Sequence, residues 1–222
     1  MSLFWRPGLT VGASGAVFGV TGGLLALAFL ARHVRMGSGN RSLHSGNLAS
    51  MGAAIPYAIA AKFADPGRPA IAIAGDGAMQ MNGLTELITV AKYWRTWADP
   101  RFIVLVLNNR DLNFVTWEQR IMQGDAKFPA SQDLPDFSYA AYAELLGMKG
   151  VRVDRPDALG AVWDEAFAAD RPVLVEAMVD PAIPMLPPHI TLEQARNYLK
   201  ALLKGDPDAA RTIKASLKEL AA

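Results

Sequence analysis

The chain alternates between short, continuous apolar segments and segments whose apolar residues recur at helical spacing. The continuous runs predict strands buried on both faces of a sheet, and they cover 69–74, 101–107, 148–153 and 172–179. The helical spacing predicts helices over 53–64, 84–93, 137–146 and 156–169. This order predicts an α/β fold, in which a doubly wound, mostly parallel sheet of about five or six strands carries helices on both faces.

The C-terminal segment 191–222 predicts a helical tail, which follows a proline-rich connector at 181–188. The tail carries six basic and four acidic side chains. A basic amphipathic helix can lie on a membrane surface, and the sequence also allows a solvated helix that packs on the domain. We therefore divide the chain into an apolar N-terminal extension (1–30), a central α/β domain (31–190) and the tail (191–222).

An uncharged segment of 21 residues, 11–31, contains five glycines. It is long enough to span a bilayer as a helix. Three interpretations stay open: a buried glycine-rich helix or fused extension, a membrane anchor, and a signal peptide. Within it, 12–19 resembles the serine-bearing helix of rhomboid proteases, in which a histidine from another membrane helix activates the serine. With one span at most, Ser14 lacks that partner, so we do not interpret it as a nucleophile.

The composition argues against several classes of function. The 222 residues include 22 Lys or Arg and 21 Asp or Glu, and a formal net charge of +1 argues against a nucleic-acid binder. The chain has no cysteine, which excludes a disulfide scaffold, a thiolate zinc site and a cysteine nucleophile. Because this composition fits a reducing compartment, we expect a cytoplasmic protein, with membrane contact through 11–31 or the tail as the alternative.

Two predicted strands are followed directly by polar residues, and the first of these motifs is Gly75-Asp76-Gly77-Ala78. Glycines let the backbone approach a phosphate closely, and a helix N-terminus favours an anion. A carboxylate in the same turn repels phosphate unless a cation lies between them. Asp76 therefore predicts a divalent metal that bridges the protein and a phosphate group.

The second motif, Asn108-Asn109-Arg110-Asp111, follows the strand predicted over 101–107. Asn109 offers an amide oxygen, and Asp111 offers a backbone carbonyl. Together with one carboxylate, two phosphate oxygens and a water, these oxygens form the octahedral set of hard ligands that Mg²⁺ prefers. The two motifs become specific in combination, because each stands at a strand end and 30 residues separate Gly77 from Asn108.

This spacing resembles the thiamine-diphosphate motif. Further segments resemble the pyrophosphate-binding domain of the acetohydroxyacid synthase and pyruvate oxidase group, namely 45–52, 55–62 and 109–115. The segment 187–195 resembles the tail of pyruvate dehydrogenase (quinone). The resemblance covers roughly 31–196, and it implies that the central domain is a C-terminal pyrophosphate-binding domain with the thiamine-diphosphate-binding fold.

The resemblance also implies roles for individual residues. Three positions would hold Mg²⁺: the Asp76 carboxylate, the Asn109 amide and the carbonyl of Asp111. The aminopyrimidine would contact Ala49, Ser50 and Met51, with the Met51 carbonyl facing the 4′-amino group. The diphosphate would lie against two segments, and their residues are Gly75, Asp76, Gly77, Ala78, Asn109, Arg110, Asp111, Leu112, Asn113, Phe114 and Val115.

The chain departs from the group in what it lacks. Members have an N-terminal domain whose glutamate activates the aminopyrimidine, and a middle domain that binds FAD in the oxidases. We therefore assign no catalytic residue here, and we expect turnover on pyruvate or another 2-keto acid only with a pyrimidine-binding domain in trans, in a dimer or other homo- or hetero-oligomer. FAD would enter only through such a partner. The alternative is a non-catalytic, truncated or fused copy that binds cofactor weakly, with or without a membrane tether.

Three further residues near the predicted diphosphate loop leave the composition of the substrate pocket open. Asn113 stands where the group often has glycine, which would alter the pocket without touching the metal ligands. Trp117 and Glu118 follow the predicted diphosphate loop. They either border the substrate or are a packed aromatic with a solvated neighbour.

Overall fold

A computed structural model describes residues 10–14, 38–43, 50–183 and 191–220. The chain forms two compact units. The first comprises Met1–Asn108 and Phe137–Met178, and the second comprises Asn109–Asp136 and Val179–Ala222. Each unit is described by itself.

The first unit is built on a sheet of six parallel strands in the order β2-β1-β3-β4-β6-β5. The predicted doubly wound α/β fold is therefore confirmed. The strands are β1 (Thr10–Ser14), β2 (Arg41–Leu43), β3 (Ala70–Gly75), β4 (Phe102–Asn108), β5 (Lys149–Val153) and β6 (Val173–Met178).

Helices cover both faces of this sheet. They are α1 (Ala54–Ala64), α2 (Asp76–Ala78), α3 (Leu84–Tyr93), α6 (Tyr139–Leu145) and α7 (Leu159–Ala168). Side chains of β3 and β4 alternate between two buried clusters, as the two-residue period of a strand requires. Phe102 and Val104 pack in the cluster that includes α1, α3 and α6, whereas Ile103 packs with Trp163 of α7.

Strand β1 contradicts the interpretations in which 11–31 forms one continuous helix. Val11 pairs with Ser42 of β2 and with Ile71 of β3, so the segment lies inside the sheet. Its sequence, TVGAS, gives a weak local signal, and pairing with two neighbours stabilises it instead. Residues 15–37, which include most of the predicted membrane or signal segment, lie outside the described residues. Among the helices that are described, none has the length and apolar character needed to cross a membrane.

The second unit is helical within its described residues. Its helices are α4 (Asn113–Glu118), α5 (Pro129–Gln132), α8 (Leu192–Leu203) and α9 (Ala209–Leu220). A π-helical turn, Gln119–Gln123, continues α4. Thr191 caps α8 in a reciprocal capping box with Gln194, which satisfies backbone N–H groups at the start of the helix. Both tail helices occur where the sequence predicts them.

One buried cation in the first unit has a structural role that the sequence did not indicate. Lys62 of α1 is fully buried, and its Nζ donates to the carbonyls of Pro66, Arg68 and Asp99 at 3.1, 2.6 and 2.7 Å. Burial lowers the pKa of this ammonium group, and the nearby Asp99 carboxylate opposes that shift. Lys62 therefore fixes the loops that precede β3 and β4.

Candidate functional site

The Gly75-Asp76-Gly77 motif lies where strand β3 ends, beside the end of β1. The chain leaves β1 toward one edge of the sheet and β3 toward the other, and this is the switch point at which such sheets bind ligands. The prediction placed a turn between β3 and a helix starting at Leu84. The structure instead has α2 beginning at Asp76, and a π-helical turn, Met79–Gly83, joins it to α3. Gly83 is a poor helix former, which explains why the sequence did not predict this extension.

The Asp76 turn combines a buried acidic residue with open space. Asp76 is only 4% exposed, and its Oδ1 accepts the Gly77 N–H at 2.8 Å. A Cβ added at Gly75 would meet no described atom within 4 Å, so the glycine leaves space in front of the turn. Among the described residues, no group of three or more acidic or histidine side chains is arranged so that it could hold a metal ion by itself. The predicted set is of another kind, with a single carboxylate and two neutral oxygens, and these donors fit Mg²⁺ that is shared with phosphate.

Tyr139 of α6 fixes the backbone of Asp76, and the sequence analysis missed it. Its hydroxyl donates to the Asp76 carbonyl at 3.0 Å and accepts from Nε2 of Gln80 at 3.1 Å. Tyr139 is 1% exposed. Burial raises the pKa of this hydroxyl to about 12, and the charges of Asp76 and Glu176 act in the same direction.

We expect Tyr139 to make the protein lose stability as the pH rises from 10 to 12. An unfolded tyrosine releases its proton near pH 10, whereas the folded one keeps it to about pH 12. The folded state then binds more protons, so the free energy of unfolding falls by up to about 1.4 kcal/mol per pH unit. Denaturant unfolding at pH 9.5 and 11.5 should show a smaller loss for Tyr139→Phe than for the native chain. Tyr57→Phe, which removes a more exposed hydroxyl, is the control, and equal losses in all three proteins would contradict the prediction.

The predicted aminopyrimidine segment approaches the same helical run. Nδ2 of Asn82, in the π-helical turn, donates to the Met51 carbonyl at 3.4 Å. Gly52 has a φ of +78°, and a Cβ there would lie 2.8 Å from Nδ2 of Asn82. Only glycine suits this position. Ser50 is exposed and Met51 is half-buried, whereas Ala49 lies outside the described residues.

The end of β4 is fixed by a buried glutamate on β6 that the sequence analysis also missed. Oε1 of Glu176 accepts from Nδ2 of Asn108 at 2.8 Å, and Oε2 accepts the Ala140 N–H at 3.1 Å. Glu176 is 0% exposed, so these hydrogen bonds satisfy a charge that would be costly to bury alone. Glu176 and Tyr139 together tie the start of α6 to the ends of β4 and β3.

The predicted diphosphate loop begins the second unit with a tight turn. Oδ1 of Asn109 accepts the Asp111 N–H at 3.1 Å. Between them, Arg110 has a φ of +58°, and it is the one non-glycine residue with positive φ among those described. Left-handed backbone at a long side chain is strained, and such strain is concentrated at functional sites. The guanidinium of Arg110 pairs with Asp136 at 3.0 Å on the surface.

Beyond this turn the loop is shorter than predicted, because α4 starts at Asn113. The buried Asn113 donates from Nδ2 to the Pro181 carbonyl at 2.8 Å, while Leu112, Phe114 and Val115 are half-buried. Trp117 is 1% exposed and packs on the ring of Tyr198, so within the second unit it is a packed aromatic.

The predicted residues therefore divide between the units. Ser50, Met51 and 75–78 lie in the first unit, and 109–115 lie in the second.

Comparison with known proteins identifies the family. The profile of the thiamine pyrophosphate enzyme, C-terminal TPP binding domain, matches residues 25–177. The chain belongs to this family of thiamine-diphosphate-binding domains. The resemblance to it that was drawn from the strand-end motifs is thereby confirmed.

Individual relatives are larger proteins. The chain is 34% identical over 212 residues to YdaP of Bacillus subtilis (strain 168), whose name describes a thiamine pyrophosphate-containing protein, and the match covers 94% of this chain and 35% of that one. It is 34% identical to the mitochondrial acetolactate synthase catalytic subunit of Saccharomyces cerevisiae, over 75% of this chain and 23% of the relative. It is also 34% identical to the acetolactate synthase isozyme 3 large subunit of Escherichia coli, over 63% and 24%. The chain thus spans about a quarter to a third of the length of these curated relatives.

Proposed function

We propose that the chain binds thiamine diphosphate together with Mg²⁺, as the diphosphate-binding module of an enzyme that acts on pyruvate or another 2-keto acid. The observation that carries this proposal is the buried Asp76 carboxylate, which starts a helix at the switch point of the sheet beside an open glycine turn. A buried carboxylate at a helix N-terminus repels a diphosphate unless a divalent cation lies between them, so Asp76 calls for a metal.

Within this proposal each segment has a distinct task. Asp76 would hold the metal by its carboxylate, Asn109 by its amide oxygen and Asp111 by its carbonyl. Gly75, Gly77 and Ala78 would contact the diphosphate, as would the turn at Arg110. When bound, thiamine diphosphate takes up the electrons released as a 2-keto acid loses carbon dioxide.

In our proposal, the active enzyme needs a further domain. The acetolactate synthase relatives are about four times as long as the part that matches. We propose that a pyrimidine-binding domain outside these residues completes the site in an oligomer. The Met51 carbonyl would then hold the aminopyrimidine, and Asn82, whose Nδ2 donates to that carbonyl at 3.4 Å, would keep the carbonyl in place.

Calorimetric titration of thiamine diphosphate into the full chain tests the proposal. With Mg²⁺ we expect saturable binding, and with a chelator in place of Mg²⁺ we expect it to disappear. Asp76→Asn should weaken binding at least about tenfold, because it removes the one anionic ligand that the protein would give the metal. Asp157→Asn, which neutralises an exposed carboxylate in the same unit, should bind as the native chain does.

Three results would contradict the proposal. They are no binding by the native chain, binding that is independent of the metal, and equal affinities for Asp76→Asn and the native chain. Circular dichroism of each variant must show that it is folded, since Asp76 also accepts the Gly77 N–H.

A further inference from the structure

The loop between the two tail helices contains a buried acidic residue, Asp206, whose side chain is 0% exposed. Its carboxylate accepts two hydrogen bonds from Arg120, one from Nε and one from Nη2, each at 2.8 Å. The same carboxylate accepts the backbone N–H of Lys127 at 2.8 Å. Asp206 therefore fixes the position of Lys127, although 79 residues separate them.

Lys127 in turn contacts the predicted diphosphate loop. Its Nζ lies 3.3 Å from Oδ2 of Asp111, 2.6 Å from Oδ1 of Asp133 and 3.6 Å from Oδ2 of Asp208. The Lys127 side chain is 8% exposed and that of Asp111 is 2% exposed, so water screens this pair weakly. Asp208 also pairs with Arg120 at 3.2 Å. One buried ammonium thus joins the C-terminal loop to Asp111.

The carboxylate of Asp111 is occupied by groups of this chain. The Thr116 hydroxyl donates to its Oδ1 at 2.9 Å, and Nδ2 of Asn113 lies 3.4 Å from Oδ2. With the Lys127 contact, three donors hold the carboxylate within the second unit. The oxygen that Asp111 would offer to a metal is then its backbone carbonyl. The peptide that carries it is held by the Leu112 N–H, which donates to the Gln132 carbonyl at 2.8 Å, in an isolated antiparallel bridge between Asp111 and Asp133. Lys127 pairs with the side chains of both bridge residues and so supports this peptide.

We propose that Lys127 is a positioning residue for the diphosphate loop, and that the C-terminal segment takes part in cofactor binding by holding Lys127 through Asp206 and Asp208. This inference rests on the proposed function, in which the Asp111 carbonyl is a metal ligand. It assigns a role to residues beyond the family profile, which ends at residue 177.

The charges explain why Lys127 is required. Four carboxylates, from Asp111, Asp133, Asp206 and Asp208, surround two cations, Lys127 and Arg120. Removal of the ammonium leaves the Asp111 carboxylate, which is 2% exposed, without its counter-ion, and a buried charge without one is costly. The bridge between Asp111 and Asp133 should then loosen, and with it the peptide that carries the Asp111 carbonyl.

The test compares three single variants of the full chain. Lys127→Met removes the ammonium and keeps the apolar stem, and Lys127→Arg restores a cation. Lys204→Met is the control, because Lys204 forms an exposed ion pair with Asp125 in the same region. In titrations with thiamine diphosphate and Mg²⁺, Lys127→Met should bind about tenfold more weakly. Lys127→Arg should come within about threefold of the native affinity, and Lys204→Met should match it.

A further variant tests the contacts made by the C-terminal loop. Asp208→Asn, at a side chain that is 32% exposed, removes one of the two carboxylates by which this loop contacts Arg120 and Lys127. We expect it to bind about threefold more weakly, since the Asp206 contacts persist. Native affinity in this variant together with native affinity in Lys127→Met would overturn the proposal.

Amide hydrogen exchange without any ligand separates positioning from general unfolding. In Lys127→Met, exchange should become faster in 109–116 while β3 and β4 keep native rates. Acceleration throughout the chain, or none in 109–116, overturns the inference. If the native chain does not bind thiamine diphosphate, the proposed function fails, and the exchange data still decide whether Lys127 holds the loop.

Discussion

Replacement of Asp206 by asparagine should lower the free energy of unfolding of the second unit by about 3–5 kcal/mol. The substitution keeps the shape of the side chain and removes its charge, so the guanidinium of Arg120, which is 1% exposed, is left without its bidentate partner. Breaking a buried ion pair from one side is costly because the remaining charge has little water around it, and Arg120 would keep only the longer contact to Asp208 at 3.2 Å. Arg120 also lies over the ring of Trp117, and a shift of the guanidinium would disturb that packing.

The matched control is Arg211→Gln, which breaks the exposed pair between Arg211 and Asp180 in the same unit. Exposed pairs contribute less than about 1 kcal/mol, so the two variants should differ severalfold in denaturant unfolding. Because the chain has two units, hydrogen exchange should locate the loss in 109–136 and 191–220. Equal losses in the two variants would contradict the assignment of Asp206 as the buried anchor.

The same carboxylate should make the second unit sensitive to acid. Burial alone would raise the pKa of Asp206, but the hydrogen bonds from Arg120 and from the Lys127 N–H outweigh it and lower the pKa. A depressed pKa in the folded state contributes stability above the unfolded value of about 3.9, and this contribution is lost as the pH falls through the folded value. Below pH 4 the native chain should therefore lose stability more steeply than Asp206→Asn.

The sequence patterns predicted those elements that are recognisable from residues close together in the chain. The runs that became β3 and β4 are apolar on both faces, and Asp76 and Asn109 follow their ends. Strand β1 was missed because it depends on pairing with distant segments. Tyr139, Glu176 and Lys127 were missed for the same reason, since each acts through residues 16 to 68 positions away.

This dependence on distant contacts makes Gly150 on β5 a critical position, and Gly150→Ala should cost about 3 kcal/mol of unfolding free energy. A Cβ there would lie 2.1 Å from the carbonyl oxygen of Ala140 and 2.7 Å from its carbon. These are backbone atoms, so a rotamer change of a flexible side chain cannot relieve the overlap. Helix α6 must move away from β5, and the Ala140 N–H would then leave Glu176 while Tyr139 leaves the Asp76 carbonyl.

Gly67→Ala is the matched control, because the nearest atom to a Cβ at that position is Oδ1 of Asp65 at 3.9 Å. An ordinary contact of this kind should change stability by no more than about 1 kcal/mol in either direction. Denaturant unfolding measures both variants, and hydrogen exchange at Ala140 and Gly77 reports whether the displaced helix also loosens the Asp76 turn. If Gly150→Ala were as stable as Gly67→Ala, α6 and β5 would not be packed this closely. If it were destabilised with native exchange at Gly77, the hydroxyl of Tyr139 would not be what fixes that turn.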